Sequence, residues 1–358
     1  MKFLCTADLH LGRAITLPEG VSQEAQGPSR AWNLICGIAL DRKVDALLIA
    51  GDAIDSERSY TEGMAVFRHG LKRLQSEGIP VILTAGNHDW NLIAEAALGF
   101  PGVVPLGLDG EWETHSLGDV TIAGWSFPAR HYGESPMEGF PEVSGRIVGL
   151  LHCDLAGGSS RYAPVSLAEL ESKPAEAWVL GHVHSPLEAR KCFYPGAPVG
   201  LNCTETGPRS VVLMDTDMMT TRRIPLPVLE WREATITEAD FLHPDEGIDS
   251  VVQRALSEKA EAELTGFRVY FQGRTSRRKD FREAAITLDN RLFPGGFFIQ
   301  QAIDFTRPLL DVENLARGRR MSSLLARELQ SMDPDSEEYA VGLDLLEELL
   351  GQEKAVEA

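Results

Sequence analysis

Apolar residues near the start of the chain fall into three short runs, at residues 3–7, 46–50 and 81–85. Each run is almost continuously apolar, which is the pattern of a strand in a sheet that is covered on both faces. Amphipathic stretches of helical length, at 30–42 and 61–77, connect them. Strands that alternate with helices of this length predict βαβ units on a largely parallel sheet.

The pattern changes after Gly102, where the apolar runs alternate with polar residues and turn residues separate them. Strands are predicted at 114–117, 120–124, 147–152, 177–181 and 209–215. Consecutive short strands with few helices between them predict a second, more mixed sheet that packs on the first.

The last third of the chain follows Pro225 and Pro227 and predicts a small α+β module. Its helices and strands are expected, in alternating order, at 248–264, 267–271, 279–290 and 297–300. A segment rich in Leu and Glu then predicts amphipathic helices near the C-terminal end. The predicted parts of the chain are therefore 1–227, 228–321 and an acidic helical part, 322–358.

Composition excludes some classes of protein. The net charge of −19 argues against a protein whose whole surface binds nucleic acid. No apolar run approaches the roughly 20 residues that a membrane span needs, and the first residues lack the apolar core of a signal peptide. The five cysteines are scattered and odd in number, which is typical of reduced thiols. We therefore expect a cytoplasmic protein with no membrane association.

Basic residues nevertheless cluster within the α+β module. The members of this cluster are Arg274, Arg277, Arg278, Lys279 and Arg282. They form either a track for DNA phosphates, in which case salt would weaken binding steeply, or a solvated helix start.

Polar clusters stand where predicted strands end. They are Asp8-x-His10, Gly51-Asp52-x-x-Asp55, Gly86-Asn87-His88-Asp89, the single His152, and Gly181-His182-x-His184. Ligands collect beyond the carboxyl ends of strands in such sheets. Carboxylate and amide oxygens mixed with imidazole nitrogens suit Mn²⁺, Fe²⁺, Zn²⁺ and similar ions. The clusters therefore predict two divalent metal ions, an arrangement that attacks phosphate esters.

Each cluster alone has a simpler explanation. Asp-x-His occurs by chance, Gly-Asp-x-x-Asp is also found in turns where an Asp caps a helix, and Gly-His-x-His also fits a strand end with solvated imidazoles. The Gly-Asn-His-Asp run is more specific, because a loop has little structural use for those side chains. The presence of all five clusters, each after an apolar run, favours the metal centre.

The order of these motifs resembles that of the calcineurin-like metallophosphoesterase superfamily, D-x-H, GD-x-x-D, GNH[DE], a lone H and GH-x-H. The resemblance implies an α/β fold, a four-layer α/β/β/α metallophosphoesterase sandwich with a small C-terminal α+β capping domain at 228–321. It also implies the ligand sets. One ion would be held by Asp8, His10, Asp52 and His184, and the other by Asp52, Asn87, His152 and His182.

The same resemblance implies catalytic roles for two further residues. His88 is expected to protonate the leaving oxygen, and Asp55 is expected to orient His88. Hydroxide held between the ions would be the nucleophile, so no covalent enzyme intermediate is expected.

Residues 162–164, 178–184, 194–198 and 205–209 are similar to the Mre11/SbcD-like DNA repair exonucleases, including YhaO-like relatives. This resemblance implies a Mn²⁺-dependent DNA exonuclease and endonuclease, with Fe, Zn or Mg as alternative metals. It implies DNA as substrate, a Rad50/SbcC-like ATPase as partner, and a homodimer. Two alternatives stay open: a phosphodiesterase or phosphatase for nucleotides or phosphoproteins, and a scaffold with a vestigial metal site.

Overall fold

The computed structural model describes residues 1–55, 60–155, 160–243, 245–259 and 262–357. The chain forms two compact units, Met1–Trp231 with Glu261–Thr265, and Arg232–Ala260 with Gly266–Ala358. No helix in the described ranges combines the length and the apolar composition of a membrane span.

The first unit contains twelve strands and five α-helices among its described residues. The strands are β1 (Lys2–Thr6), β2 (Ala46–Ala50), β3 (Val81–Thr84), β4 (Val103–Pro105), β5 (Glu113–Leu117), β6 (Val120–Trp125), β7 (Arg146–His152), β8 (Ala177–Gly181), β9 (Leu187–Ala189), β10 (Cys192–Tyr194), β11 (Ser210–Asp215) and β12 (Thr220–Pro225). The helices are α1 (Gln23–Gln26), α2 (Pro28–Arg42), α3 (Tyr60–Ser76), α4 (Ile93–Ala97) and α5 (Leu167–Ser172).

The first sheet has the strand order β12-β11-β1-β2-β3-β4. Strands β1 to β4 are parallel, and α2 and α3 are the crossover helices that this arrangement requires. Alternate residues of β1 face opposite ways: Leu4 packs in the core with α2 and α3, while Phe3 and Cys5 pack against the second sheet. Burial of both faces explains the continuous apolar runs, and the predicted βαβ units are confirmed.

The second sheet has the order β5-β6-β7-β8-β10-β9. Strands β6, β7, β8 and β10 are parallel, and β5 and β9 pair antiparallel at the two edges. Val148 and Leu150 of β7 pack in the core between the sheets, whereas Ile147 and Leu151 pack in a core that includes Leu170 of α5. Helices, two sheets and a further helix therefore form four layers, and the predicted α/β/β/α sandwich is confirmed.

The two sheets are in close contact at the carboxyl ends of β2 and β8. A Cβ atom added to Gly181 would overlap the carbonyl oxygen of Ala50 and lie 2.7 Å from His152 Nδ1. His152 Nδ1 in turn donates a hydrogen bond of 2.9 Å to the Ala50 carbonyl. Only glycine leaves room at this position, so the glycine of the Gly-His-x-His motif has a packing role.

The second unit is an α+β module followed by terminal helices. Its strands are β13 (Leu229–Ile236), β14 (Leu264–Phe271), β15 (Arg274–Thr275), β16 (Arg291–Phe293), β17 (Phe297–Asp304) and β18 (Arg307–Pro308). Its helices are α6 (Ile248–Ser257), α7 (Arg278–Thr287), α8 (Val312–Leu315), α9 (Met321–Leu329) and α10 (Glu337–Glu357). The four-stranded sheet has the order β13-β14-β17-β16 and shares an apolar core with α6 and α7.

The predicted helix at 248–264 is too long, because α6 ends at Ser257 and β14 begins at Leu264. Of the residues that follow α6, Glu258 and Lys259 are charged and supply no apolar face to bury, and residues 260 and 261 lie outside the described residues. Since most helical stability in proteins comes from packing, propensity alone does not extend the helix. The functions predicted for the parts 1–227, 228–321 and 322–358 stay predictions.

Three members of the basic cluster, Arg277, Arg278 and Arg282, pair with acidic side chains of the second unit. The buried guanidinium of Arg278 lies 2.8 Å from Asp344 and 2.5 Å from Glu347, both on α10. Arg277 pairs with Asp280 at 2.9 Å. Leu343 and Leu346 of α10 are buried in a core with α8 and α9. Arg278 is therefore part of the packing of α10, which disfavours a phosphate track that includes it.

The close approach of the sheets yields a prediction for Gly181→Ala. The added methyl group overlaps main-chain atoms that cannot rotate away, so we expect a loss of roughly 1–3 kcal/mol or more in the free energy of unfolding. Chemical denaturation measures this. Gly37→Ala on α2 is the matched control, because its Cβ would meet nothing within 4 Å. That change should stabilise by about 0.5–1 kcal/mol. Equal stability of the two variants would contradict the prediction.

Candidate metal centre

The predicted ligands converge from both sheets of the first unit. Asp8 and His10 follow β1, Asp52 follows β2 and Asn87 follows β3, so the first sheet supplies four side chains from adjacent parallel strands. The second sheet supplies the others. They are His152, the last residue of β7, and His182 and His184, which follow β8. Asp8 and His152 are completely buried.

Unusual backbone conformations turn several of these side chains toward one another. Asp8, His10, Asp52 and His182 have positive φ angles of 53°, 45°, 51° and 101°. This region is disfavoured for residues with a Cβ atom and costs about 1–3 kcal/mol each. Hydrogen bonds from Asp8 N to Gly51 O (3.1 Å) and from His10 N to Asp52 O (3.0 Å) hold the loops together. Strain concentrated at predicted ligands is typical of a functional site.

One donor group consists of Asp8, His10 and His184, whose candidate ligand atoms all lie within 4.8 Å of one another. His10 Nε2 is 3.1 Å from His184 Nε2 and 3.8 Å from Asp52 Oδ2. Two imidazoles and the Asp8 carboxylate, with Asp52 close to His10, form a mixed set of donors suited to a divalent cation.

A second donor group consists of Asp8, Asp52 and His152. His152 Nε2 lies 3.3 Å from Asp52 Oδ2 and 3.2 Å from Asn87 Oδ1. Because His152 Nδ1 donates to the Ala50 carbonyl, Nε2 is the nitrogen left for a ligand. Asp52 Oδ2 therefore lies next to histidines of both groups, which is the position that a bridging carboxylate needs.

His182 lies beside the second group without belonging to either. Its backbone N–H donates to Asp8 Oδ1 at 3.0 Å, and its ring centroid is 5.3 Å from that of His152 and 4.7 Å from that of Tyr162. Burial and the charge of His152 lower the pKa of His182 to about 4. A neutral imidazole is the form that ligates metals, so the chemistry of this residue fits the predicted role.

Electrostatics at the centre also fits cations. Burial alone would raise the pKa of Asp52, but His152 and the other nearby imidazoles hold it well below its usual range. Burial opposes a charge on His152, yet the Asp52 carboxylate raises its pKa to about 9. Asp8 and Asp55 add further buried carboxyl groups. Buried carboxylates need cationic partners, so the donor set and its charge both fit divalent metal ions.

His88 stands at the more exposed side of the centre, with 21% of its side chain exposed. Its backbone N–H donates to Asp52 Oδ1 at 2.8 Å, which ties the two motifs together. His88 Nδ1 lies 4.0 Å from Asp55 Oδ1, and these two residues form a third group with His10. Arg13 Nη1 lies 3.7 Å from Asp55 Oδ2. The predicted catalytic residues are thus neighbours, at ion-pair distance.

Two contributors have no role assigned from the sequence. Asp89 accepts hydrogen bonds from the backbone N–H groups of Gly86 (2.8 Å) and Ala53 (2.6 Å), which joins the loops after β3 and β2. Burial, with the nearby charge of Asp52, raises the pKa of Asp89 to about 7. Glu205 lies 3.1 Å from His184 Nδ1. The sequence offered a signal for Asp89, because this residue belongs to the Gly-Asn-His-Asp motif. No such signal existed for Glu205, whose contact with His184 forms only in the folded protein.

Comparison with known proteins agrees with this geometry. Residues 1–186 match the family described as calcineurin-like phosphoesterase, which is more than half of the 358 residues. The motifs and ligand candidates from Asp8 to His184 all lie within the matched region.

Three relatives are similar to this chain at 24% to 28% identity, over stretches longer than the region that matches the family. The SbcD component of nuclease SbcCD from Bacillus subtilis (strain 168) is 24% identical over 307 residues, 70% of this chain and 76% of that protein. The uncharacterized metallophosphoesterase YhaO of the same organism is 26% identical over 234 residues, 60% of this chain and 57% of YhaO. The DNA double-strand break repair protein Mre11 of Haloferax volcanii is 28% identical over 280 residues, 71% of this chain and 57% of that protein.

The chain therefore spans just over half the length of the last two relatives. The match to the family covers both donor groups and the strands that carry them. The chain belongs to the calcineurin-like phosphoesterase family and is a metal-dependent hydrolase.

Proposed function

We propose that this chain is a two-metal phosphodiesterase that hydrolyses DNA. The observation that carries the proposal is the adjacency of the two donor groups, which share Asp8 and each place a histidine nitrogen within 3.8 Å of Asp52 Oδ2. One divalent cation is assigned to Asp8, His10, Asp52 and His184, and the other to Asp52, Asn87, His152 and His182. Mn²⁺ is the proposed metal.

Bound cations would supply Lewis-acid chemistry, neutralising phosphate charge and making a water molecule more acidic. Side chains of the protein would supply the proton for the leaving oxygen and hold the proton donor in the correct orientation. His88, partly exposed beside the buried donors, is assigned as the general acid that protonates the leaving oxygen. Asp55, 4.0 Å from His88 Nδ1, is assigned to orient that imidazole.

The choice of DNA as substrate rests on the relatives. One is named as part of a nuclease and another as a DNA double-strand break repair protein, which supports exonuclease and endonuclease activity in DNA repair. Since SbcD is by name one component of the SbcCD assembly, a Rad50/SbcC-like ATPase partner and a homodimer are part of the proposal. The net charge of −19 favours local capture of phosphates, as at the metal centre, over binding along an extended surface.

The same charge favours the second candidate, a phosphodiesterase or phosphatase for nucleotides or phosphoproteins, because such substrates need no extended basic surface. A scaffold with a vestigial site is disfavoured. All seven proposed ligand positions carry side chains that can bind a metal, and four of them have positive φ angles, which counts against an inert site.

Substrate comparison separates these candidates. With Mn²⁺ present, we expect hydrolysis of linear duplex and single-stranded DNA and of bis-p-nitrophenyl phosphate, with Asp52→Asn as the inactive control. Hydrolysis of the small diester without cleavage of any DNA would support the second candidate. Absence of all hydrolysis in a protein shown to bind metal would support the scaffold.

Replacement of His88 tests its assignment as a general acid. His88→Ala should lower kcat by about 10²–10⁴-fold while the metal content stays at two ions per chain, because His88 is not among the assigned ligands. Steady-state kinetics and elemental analysis of the same sample measure both. His69→Ala, on α3 and outside the donor groups, is the control and should keep the full rate. A near-normal kcat for His88→Ala would remove His88 from the mechanism.

The stability of metal-stripped protein tests the bridging role of Asp52. Because a ligand that binds only the folded state stabilises it, Mn²⁺ at 100 times its Kd should add about 2.7 kcal/mol for each occupied site. Thermal unfolding after EDTA treatment, with and without Mn²⁺, measures the gain. Asp52→Asn should weaken both ions together. Weakened binding of one ion alone would show that Asp52 does not bridge.

A further inference from the structure

Glu205 contacts the proposed ligand His184 at ring nitrogen Nδ1, whereas the other ring nitrogen, Nε2, faces the first donor group. It lies in the segment between β10 and β11, and Oε1 is 3.1 Å from His184 Nδ1. Glu205 is itself held in place, because it accepts hydrogen bonds from the backbone N–H of Leu201 (3.0 Å) and from Asn202 Nδ2 (2.7 Å). Only 13% of its side chain is exposed. A carboxylate held in this way has a fixed direction toward the imidazole.

The contact determines which nitrogen of His184 is free. An ionised carboxylate only accepts hydrogen bonds, so the hydrogen in the contact must be on His184 Nδ1. In the neutral imidazole, the form that binds metals, the lone pair is then on Nε2, the atom that lies 3.1 Å from His10 Nε2 within the first donor group. Glu205 therefore selects the tautomer that presents Nε2 to a cation.

Arg209 reinforces the same arrangement through the main chain. Its side chain is buried, with the residue only 2% exposed, and it donates a hydrogen bond of 2.7 Å to the backbone carbonyl of His184. The same guanidinium donates to the backbone carbonyls of Glu205 and Thr206. The segment 205–209 thus fixes His184 at its ring and at its carbonyl group.

His152 in the second donor group has a different support. Its Nδ1 donates to the neutral carbonyl of Ala50 at 2.9 Å. A carboxylate makes the imidazole it accepts from more basic than a carbonyl does, and such partners change metal affinity when they are removed. A dependence on Glu205 should therefore be confined to the ion that His184 binds.

We propose that Glu205 is a positioning residue, which sets the tautomer and ring orientation of His184 for one of the two cations. This inference rests on the proposed two-metal function. Arg209 supports it by holding the main chain of His184 against the Glu205 segment.

Binding of Mn²⁺ to the EDTA-treated full chain tests the inference without any measurement of activity. Wild type should bind two ions in calorimetric titration. Removal of such a supporting group typically costs 10–100-fold in metal affinity. Glu205→Ala should therefore bind one ion normally and the other about 100-fold more weakly. Glu205→Gln, which keeps the shape and an acceptor oxygen but loses the charge, should weaken that same ion about 10-fold.

Electron paramagnetic resonance provides a second readout. At a Mn²⁺ concentration that fills both sites of wild type, the spectrum of an interacting Mn²⁺ pair should give way to that of a single ion in Glu205→Ala, and return in Glu205→Gln at higher Mn²⁺. Glu188→Gln, on β9 and 53% exposed at its side chain, is the matched control and should behave as wild type.

The outcomes separate the inference from the function on which it rests. Unchanged affinity for both ions in Glu205→Gln, or equal weakening of both, overturns the role of Glu205, even if Glu205→Ala fails to fold. Wild-type protein that binds fewer than two Mn²⁺ ions overturns the two-metal proposal instead.

Discussion

The metal centre depends on the contact between the carboxyl ends of the two sheets, where Gly181 lies against Ala50. Sheets that pack face to face are about 10 Å apart, whereas donors that share a cation must lie within a few Å. The absence of a side chain at Gly181 allows the edges to close that gap, and the His152–Ala50 hydrogen bond of 2.9 Å holds them there. Ligands from β1, β2 and β3 then face ligands from β7 and β8.

This convergence destabilises the protein in the absence of a cation. Four predicted ligands have left-handed backbone conformations, and the carboxyl groups of Asp8, Asp52, Asp55 and Asp89 are buried close together. The Asp52 carboxylate raises the pKa of His152 to about 9, so a proton on His152 would offset part of that negative charge. Divalent cations would offset it more fully, so metal binding and folding of these loops are linked. The same buried charge that makes the loops unstable alone makes them selective for cations.

Different kinds of group hold the ligand candidates His152 and His184 in place. His152 is held by a main-chain carbonyl within the sheet contact, whereas His184 is held by Glu205 and Arg209 from a separate segment. In the second unit, Arg278 is paired with carboxylates of α10. Under the proposed function, Arg13, 3.7 Å from Asp55, is a cationic side chain beside the metal centre that could contact a phosphodiester.

The parallel sheet was predictable from the sequence, because strands buried on both faces have continuous apolar runs. The four-layer sandwich was expected because the order of the motifs resembles that of the calcineurin-like metallophosphoesterases. The ligand candidates were predictable because they directly follow those runs. The end of α6, the pairing of Arg278 with α10, and the contacts of Glu205 with His184 and of Asp89 with the backbone of Ala53 were not. Each depends on which side chains from distant segments meet in space, and on whether apolar surface is available to bury. Periodicity and local propensity carry neither kind of information, so only the tertiary structure decided them.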